Sequence, residues 1–575
     1  MQQGTGEPMN RSAVARRYAP LALLVVVQLV LVLLLPSTAP SEQQVQFDGD
    51  GELGGSSTGA FAGPDTEDSS GPGTGSSSEG GPSGPVAGQP DVGQSDVGQP
   101  NVGPGGGDTS HCVAGRQFDP AIDFHAPPCA GTWGGGNNGG STYQGVTADT
   151  IKVVEYEPQS NPAVESIAQA AGLYVSPEQR AAFRDAAETF LNNSYEMYGR
   201  KIQIEVAKGT CSITPPDIAC LRNDFRRIIT DMKPFAVFWI AGGCSACFDE
   251  MSQLKTLNLG GMFFTDRFAQ ARAPYHWDVQ QSGTTMNASI GQFWCANLAH
   301  KNAEYALHET GSMNGQVRKL GVIGLNDPEM EATVQAAKAE LAKCDDRIAA
   351  EYYYAADLST AAQQVQAGIS KMRAAGVTSI YYLNDIAGPG YFMGFQQQNR
   401  YFVENIMSGA GTQDNDESGR QLQTNPIACP NGPPCPFQTA FGLSVAVYEP
   451  LGKDTGARVW RAAGRSGDPP YHFVTLYWDY LSMLGTMVQS AGPNLTPQNI
   501  DAGVRTYGMR GDADHVLRGF PRGSYTWGHD MGMQYWDENE TSPYDGLKGA
   551  WVKVGSRNAL GAWSPGGLGK LPNRG

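Results

Sequence analysis

FAVFWIAGGCSACFDEM, residues 235–251, is the stretch on which the fold turns. Its apolar run, 235–241, has no polar interruption and is bounded by two glycines, which reads as a strand covered on both faces. A helical pattern begins at Cys244. Strand, glycine turn and helix form one unit, with a C-x-x-C (Cys244 and Cys247) at the start of the helix. A helix N-terminus lowers the pKa of a thiol there and equally receives an anion on its free N–H groups. The unit is therefore either a redox dithiol or a ligand loop, and the flanking elements must choose.

Before it, TIKVVEYE (150–157) and KIQIEVAKG (201–209) read as strands. The helix between them opens on Ser176, Pro177 and Gln179: a hydroxyl cap, a first-turn proline and a glutamine that closes a capping box. Phe183, Ala187, Phe190, Leu191 and Tyr198 supply its apolar stripe. PDIACLRNDFRRIITDM (216–232) is a second helix facing inward through Ile218, Leu221, Phe225 and Ile228, and GGMFF (260–264) is a further short strand. After a helical stretch near 285–308 the rhythm restarts. RKLGVIGL (318–325), RIAAEYYYA (347–355), VTSIYYLND (377–385) and ENIMSGA (404–410) are strands, with helices over 328–344, 359–375 and 390–399 between them. Two successive β-α-β-α-β series specify an α/β protein of two doubly wound parallel-sheet lobes, joined by a hinge and separated by a cleft. A third stretch, 441–515, contains the strand FGLSVAVY and a long helix from Tyr471, and is expected to return to the first lobe. The expected domains are lobe I over 145–312, lobe II over 313–440, a return with closing segments over 441–550, and a tail over 551–575.

The N-terminal part is of a different kind. Arg11, Arg16 and Arg17 precede the apolar run Ala19–Leu35, and an acidic polar segment follows. That asymmetry places residues 1–18 on the cytoplasmic side of the membrane and everything after 36 outside. The run, within 19–36, is long for a signal and short for a spanning helix; it is read as an uncleaved anchor, with a cleaved signal as the alternative. No cysteine follows it to carry a lipid. Residues 37–144 are Gly-, Ser- and Pro-rich, and up to Gly115 they hold acidic residues but no Lys or Arg. They are expected to be a disordered tether spanning on the order of 50–60 Å. GSSTG (55–59) inside it matches a nucleophile pattern, but has neither strand nor helix beside it.

The formal net charge is −17 and no basic block lies in the folded part, which argues against nucleic acid as a partner. Ten cysteines in an exported chain imply disulfides. Separation suggests Cys112 with Cys129, Cys211 with Cys220, and Cys429 with Cys435. Cys295 and Cys344 can join two helices, while Cys244 and Cys247 can pair together or reach the 211/220 loop. The eight histidines show no zinc spacing, and GPGYFMG (388–394) has one residue too many between its later glycines for a dinucleotide loop, so neither metal nor cofactor is expected.

GVTADTIKVV (145–154), the single strand–helix repeats and the second lobe opened by RKLGVIGLNDP (318–328) resemble the extracellular solute-binding proteins of type I periplasmic-binding fold, the leucine/isoleucine/valine-binding branch above all. The resemblance covers about 145–550. It implies lobes that close by hinge bending on a small polar ligand, in this branch an amino acid or related compound, and a membrane permease of an ABC importer as partner. It also implies roles for strand-tip residues. The loop with Gly243 and Ser245 would offer hydroxyl and N–H groups to a ligand carboxylate, and Thr265 and Asp266 a second polar contact. Asp385, with Asn384, would meet the ligand's amino group. From the strand ends themselves, Tyr156 is a candidate pocket floor and Asn326 a polar contact, with Asp327 beside it reading equally as a helix cap. The missing lipid cysteine, the long tether and the many cysteines depart from the family. Two further readings therefore stand: a sensory or structural ectodomain of the same fold, and an exported thiol–disulfide oxidoreductase using Cys244 and Cys247.

Overall fold

Strand β1 (Thr150–Glu157) shows how the first lobe is built. In the computed structural model, which describes residues 107–564 except 160, 163–164, 167–168, 170–173, 241, 262, 358 and 384–387, β1 is the strand next to the edge of a five-stranded parallel sheet. Its alternation sorts two cores. Ile151 and Val153 face a cluster with Phe183, Phe190 and Trp478, and Val154 and Tyr156 face one with Leu221, Phe225 and Trp239. The sheet runs β2–β1–β3–β4–β5, with β2 at Lys201–Lys208, β3 at Ala236–Trp239, β4 at Leu257–Gly260 and β5 at His276–Trp277. Helix α1 (Pro177–Ser194) starts in the expected capping box: Ser176 Oγ accepts from the Gln179 amide at 3.2 Å, and Gln179 Oε1 accepts from the Ser176 amide at 2.8 Å. Helices α2 (Ile218–Met232), α3 (Ser245–Gln253) and α4 (Asp266–Ala271) complete the alternation.

Helix α5 (Gly283–Asn297) carries the chain into the second lobe, where Met286, Ile290, Phe293 and Trp294 are buried in its core. The second sheet has seven strands in the order β12–β11–β10–β9–β8–β6–β7. Strands β6 (Leu320–Leu325), β7 (Ile348–Tyr354), β8 (Ser379–Leu383), β9 (Glu404–Met407) and β10 (Phe441–Ser444) are parallel, and β11 (Asp530–Thr541) and β12 (Lys548–Ala559) form an antiparallel margin. Helices α6 (Pro328–Ala342), α7 (Ala361–Ala374), α8 (Gly388–Gln398) and α9 (Asp416–Thr424) connect them. A buried ion pair ties the base of this sheet: Arg318 reaches Glu404 at 2.8 Å, with side chains 2% and 0% exposed.

Two expectations are corrected. The strand of the third stretch does not return to lobe I, because β10 hydrogen-bonds along β9 (Phe441 opposite Ile406). An apolar run says that a strand is buried, but the free sheet edge it finds is a tertiary matter. The helices go back: α10 (Thr455–Ala462), α11 (Val474–Ala491) and α12 (Pro497–Val504), of which α11 sits in the lobe I core through Trp478, Leu481, Leu484 and Met487, and the loop after them joins the same core through Phe520 and Trp527. The chain thus passes between the lobes more than once.

The second correction concerns the tether. Residues 107–144 are packed, with Phe118 and Ala126 in the lobe I core and Cys112 bonded to Cys129. Asp123 accepts from Trp478 Nε1 at 2.9 Å and from Ser482 Oγ at 3.0 Å. Composition missed this because the segment needs no core of its own; a few anchors borrow that of α11. The apolar run 19–35, the tether up to 106 and the tail beyond 564 lie outside the described residues. Among the described residues no helix is long and apolar enough to cross a membrane.

Candidate functional site

Strand ends of both sheets open on one cavity of about 360 Å3. Gly261 and Phe263 follow β4, Val279 and Gln280 follow β5, Gly409 and Thr412 follow β9, and Val445 to Glu449 follow β10. Open parallel sheets bind ligands in this position, and the volume lies at the lower end of small-molecule sites. The remaining walls come from the starts of α10 and α11, from Asp123–His125 in the N-terminal segment, and from the loop at 514–518.

Backbone conformation marks the same place. Among ten described non-glycine residues with positive φ, Phe263 (56°), Thr412 (60°) and Phe473 (62°) all line the cavity. A bulky side chain pays for that conformation, and such strain gathers at ligand clamps. Gly409, at φ 79°, ends β9 where a Cβ would lie 2.9 Å from Asp414 Oδ2. Its absence lets Asp414 reach Ser444 Oγ at 2.8 Å, the Val445 amide at 3.0 Å and Tyr448 Oη at 2.8 Å, which fixes the loop after β10. Burial raises the pKa of Asp414 despite these donors.

The electrostatics are mixed. Asp479 and Arg518 form a bidentate pair, at 2.7 Å for its Nη1 contact. Burial raises the carboxyl, and Arg518 opposes it. His125 Nε2 donates to the Val516 carbonyl at 2.8 Å, and burial, with Arg518 beside it, holds its pKa well below the ordinary value. Phe124 stacks on His515 with centroids 3.8 Å apart, and the Arg510 guanidinium lies 4.0 Å from the Phe124 centroid. His472 faces Glu417 at 3.1 Å, and that hydrogen bond raises its pKa. Asp278, which Tyr480 Oη meets at 3.4 Å, is pushed up to about 7 by burial.

None of the described residues singled out from the sequence lines this cavity. Tyr156 is buried beside Phe225 and Trp239 and donates to Asp224 at 3.2 Å. Gly243 is exposed at the turn before α3, and Asn326 is exposed, its amide bonded to the Tyr354 carbonyl. The amide of Asp266 donates to Thr284 Oγ1 at 3.1 Å. Asn384 and Asp385 lie outside the described residues. The structure does bring Ser245 and Thr265 to the second lobe, but onto its own carboxylates. Ser245 Oγ meets Asp327 Oδ2 at 3.2 Å, and Thr265 Oγ1 meets Glu329 Oε2 at 2.6 Å. Asp327 is at once the cap of α6, accepting from the Glu329 amide at 2.8 Å. These hydroxyls bridge the lobes at the tips of β3, β4 and β6.

The C-x-x-C closes on itself, Cys244 to Cys247, and the other four disulfides are Cys112–Cys129, Cys211–Cys220, Cys295–Cys344 and Cys429–Cys435. Cys244 is 1% and Cys247 0% exposed, so an attacking thiolate has no route to either sulfur. That burial disfavours disulfide exchange in the folded protein. The residues that sequence reading missed are the aromatics and acids of 445–475 and 123–125. The one available signal was the density of Tyr, Phe, His and Asp just before the long helix at 474.

No family model matches the chain, and no curated protein matches it. Among solved structures, a substrate-binding protein of an ABC transporter from Aeropyrum pernix is 11% identical with a TM-score of 0.50, covering 72% of this chain and 96% of that one. A branched-chain amino acid ABC transporter protein from Thermus thermophilus with bound valine is 10% identical with a TM-score of 0.48, covering 72% and 97%. A solute-binding protein from R. palustris in complex with 4-hydroxybenzoate is 9% identical with a TM-score of 0.49, covering 72% and 99%. At such identities the likeness concerns fold. The chain has the type I periplasmic-binding fold, that of the solute-binding proteins of ABC transporters.

Proposed function

We propose that this chain is a non-enzymatic, exported solute-binding protein that holds a small molecule, an amino acid or related compound, between its lobes for a membrane permease. The observation that carries the reading is the cavity of about 360 Å3 walled by strand ends of both sheets and by the helices that pass between them. A ligand there touches both lobes and so couples occupancy to their relative position. The test is thermal unfolding of the full-length chain with amino acids, short peptides, amides, sugars, amines and aromatic acids. A ligand at 100-fold its Kd adds about 2.7 kcal/mol of stability. No shift with any class would overturn the reading.

A second reading, a sensory or structural ectodomain, draws support from the bonds of Ser245 to Asp327 and Thr265 to Glu329, which join the lobes through the protein's own side chains. Solution scattering separates the two: transport requires the scattering curve to change with ligand, and a static ectodomain leaves it unchanged.

A further inference from the structure

We propose that the cavity selects an organic cation, a protonated amine or quaternary ammonium attached to an apolar body. This rests on the solute-binding reading and names the ligand's charge.

The wall carries the carboxylates of Asp123, Glu449, Asp454, Asp468, Asp479 and Asp514, and Arg518 is the one Lys or Arg that lines it among the described residues. Internal pairs neutralise part of this charge: Asp479 with Arg518, and Glu449 with Arg458 at 2.8 Å. Asp454 has no such partner among the described residues. It is 8% exposed, and its Oδ1 takes the Thr475 hydroxyl at 2.7 Å and the Ala457 amide at 3.2 Å. Among the described residues nothing donates to its Oδ2, and the side chain lines the cavity. A carboxylate this deeply buried with one bare oxygen and no counterion is costly unless a cation from outside completes it.

The starts of α10 and α11 oppose this with partial positive charge. Asp454 answers both, as the cap of α10 and through Thr475 in the first turn of α11, and that uses Oδ1 alone. His472, which also lines the cavity, is engaged with Glu417 at 3.1 Å. The wall also carries aromatic rings, Tyr448, Tyr471, Phe473 and Tyr544, and an ammonium is attracted to such ring faces. An anion would meet the bare carboxylate, and a sugar would leave the rings without polar partners.

The experiment titrates the full-length chain, by calorimetry, with three probes of one shape: 2-phenylethylammonium, 2-phenylethanol and 3-phenylpropanoate. The expected order is ammonium, then alcohol, then carboxylate, with at least tenfold between the first two. In Asp454→Asn, where asparagine still caps α10, the ammonium-to-alcohol ratio should fall at least fivefold while alcohol affinity holds. Phe473→Leu, which keeps an apolar side chain at the same backbone position, should also lower the ratio. Circular dichroism and the unfolding midpoint establish that each variant is folded. An unchanged ratio in a folded Asp454→Asn, or tighter binding of the carboxylate, overturns the inference. If an uncharged or anionic member of the wider panel outbinds every cation, the charge assignment falls and solute binding stands. If nothing binds, both fall.

Discussion

Removing the two hydroxyl–carboxylate bonds across the lobes should open the cleft by a calculable amount. Ser245→Ala deletes only the contact to Asp327 Oδ2, since Asp327 keeps its capping bonds through Oδ1. Glu329→Ala deletes the partner of Thr265, which keeps its own cap of α4 by accepting from the Phe268 amide at 2.9 Å. A hydrogen bond to a charged group contributes about 1.5–3 kcal/mol when well buried. Both bonds are only part-buried, so water replaces some of that, and about 1 kcal/mol each is the appropriate size. Helices α3 and α6 are intact whether the lobes touch or part, so their propensities cancel. The double variant therefore shifts the closed-to-open ratio by about 2 kcal/mol, roughly 30-fold, and each single variant by roughly fivefold. Small-angle scattering of the three variants and the parent in dilute buffer reads the ratio as a rise in radius of gyration, largest for the double variant. Superimposable curves for the parent and the double variant would refute the idea that these side chains hold the lobes together.

Three more outcomes follow from single features. Glu404→Gln leaves Arg318 charged and 2% exposed in the base of the second sheet, so urea unfolding should show a loss of about 3–5 kcal/mol. Burial raises the Asp278 carboxyl to about 7 from an ordinary 3.8, so the folded state holds a proton that the unfolded state has lost. Stability from this group is complete below about pH 4 and fades as pH rises through 7, by at most about 1.4 kcal/mol per unit; Asp278→Asn should flatten that part of the pH–stability curve. A fragment starting at 145 lacks Phe118, Asp123 and Ala126, strips Trp478 Nε1 of its acceptor, and should unfold at a lower temperature than one starting at 107, as calorimetry would show.

How much of this was legible depended on whether the signal was local. The capping box at Ser176 and Gln179 formed as written because its partners lie three residues apart and no distant group competes. The cap at Asp327 was legible for the same reason, whereas its second bond, to Ser245, comes from another lobe. The strand at 441–444 was readable as buried, yet which sheet edge it would join was not, since β9 and the lobe I sheet offer similar surfaces to an apolar run. The candidate residues of the resemblance were strand tips, and the strand tips did converge. The cavity formed a step away, around the crossing segments, where helix starts and loops meet.

The amino-acid sequence by itself determined the class of the protein: periods of two and 3.6, with caps and glycine turns between them, are set by backbone geometry and can be counted along one chain. It also offered the four near-neighbour cysteine pairs as possibilities, because short loops close cheaply, and Cys295 with Cys344 as a possible link between helices. Tertiary structure alone decided the cavity. Asp123, Phe263, Gly409, Tyr448, Phe473 and His515 are far apart in the chain and meet only because two sheets and the helices crossing between them pack in one arrangement. Apart from the aromatic density just before the helix at 474, they carry no local mark of that meeting, since what brings them together is the burial of apolar side chains elsewhere.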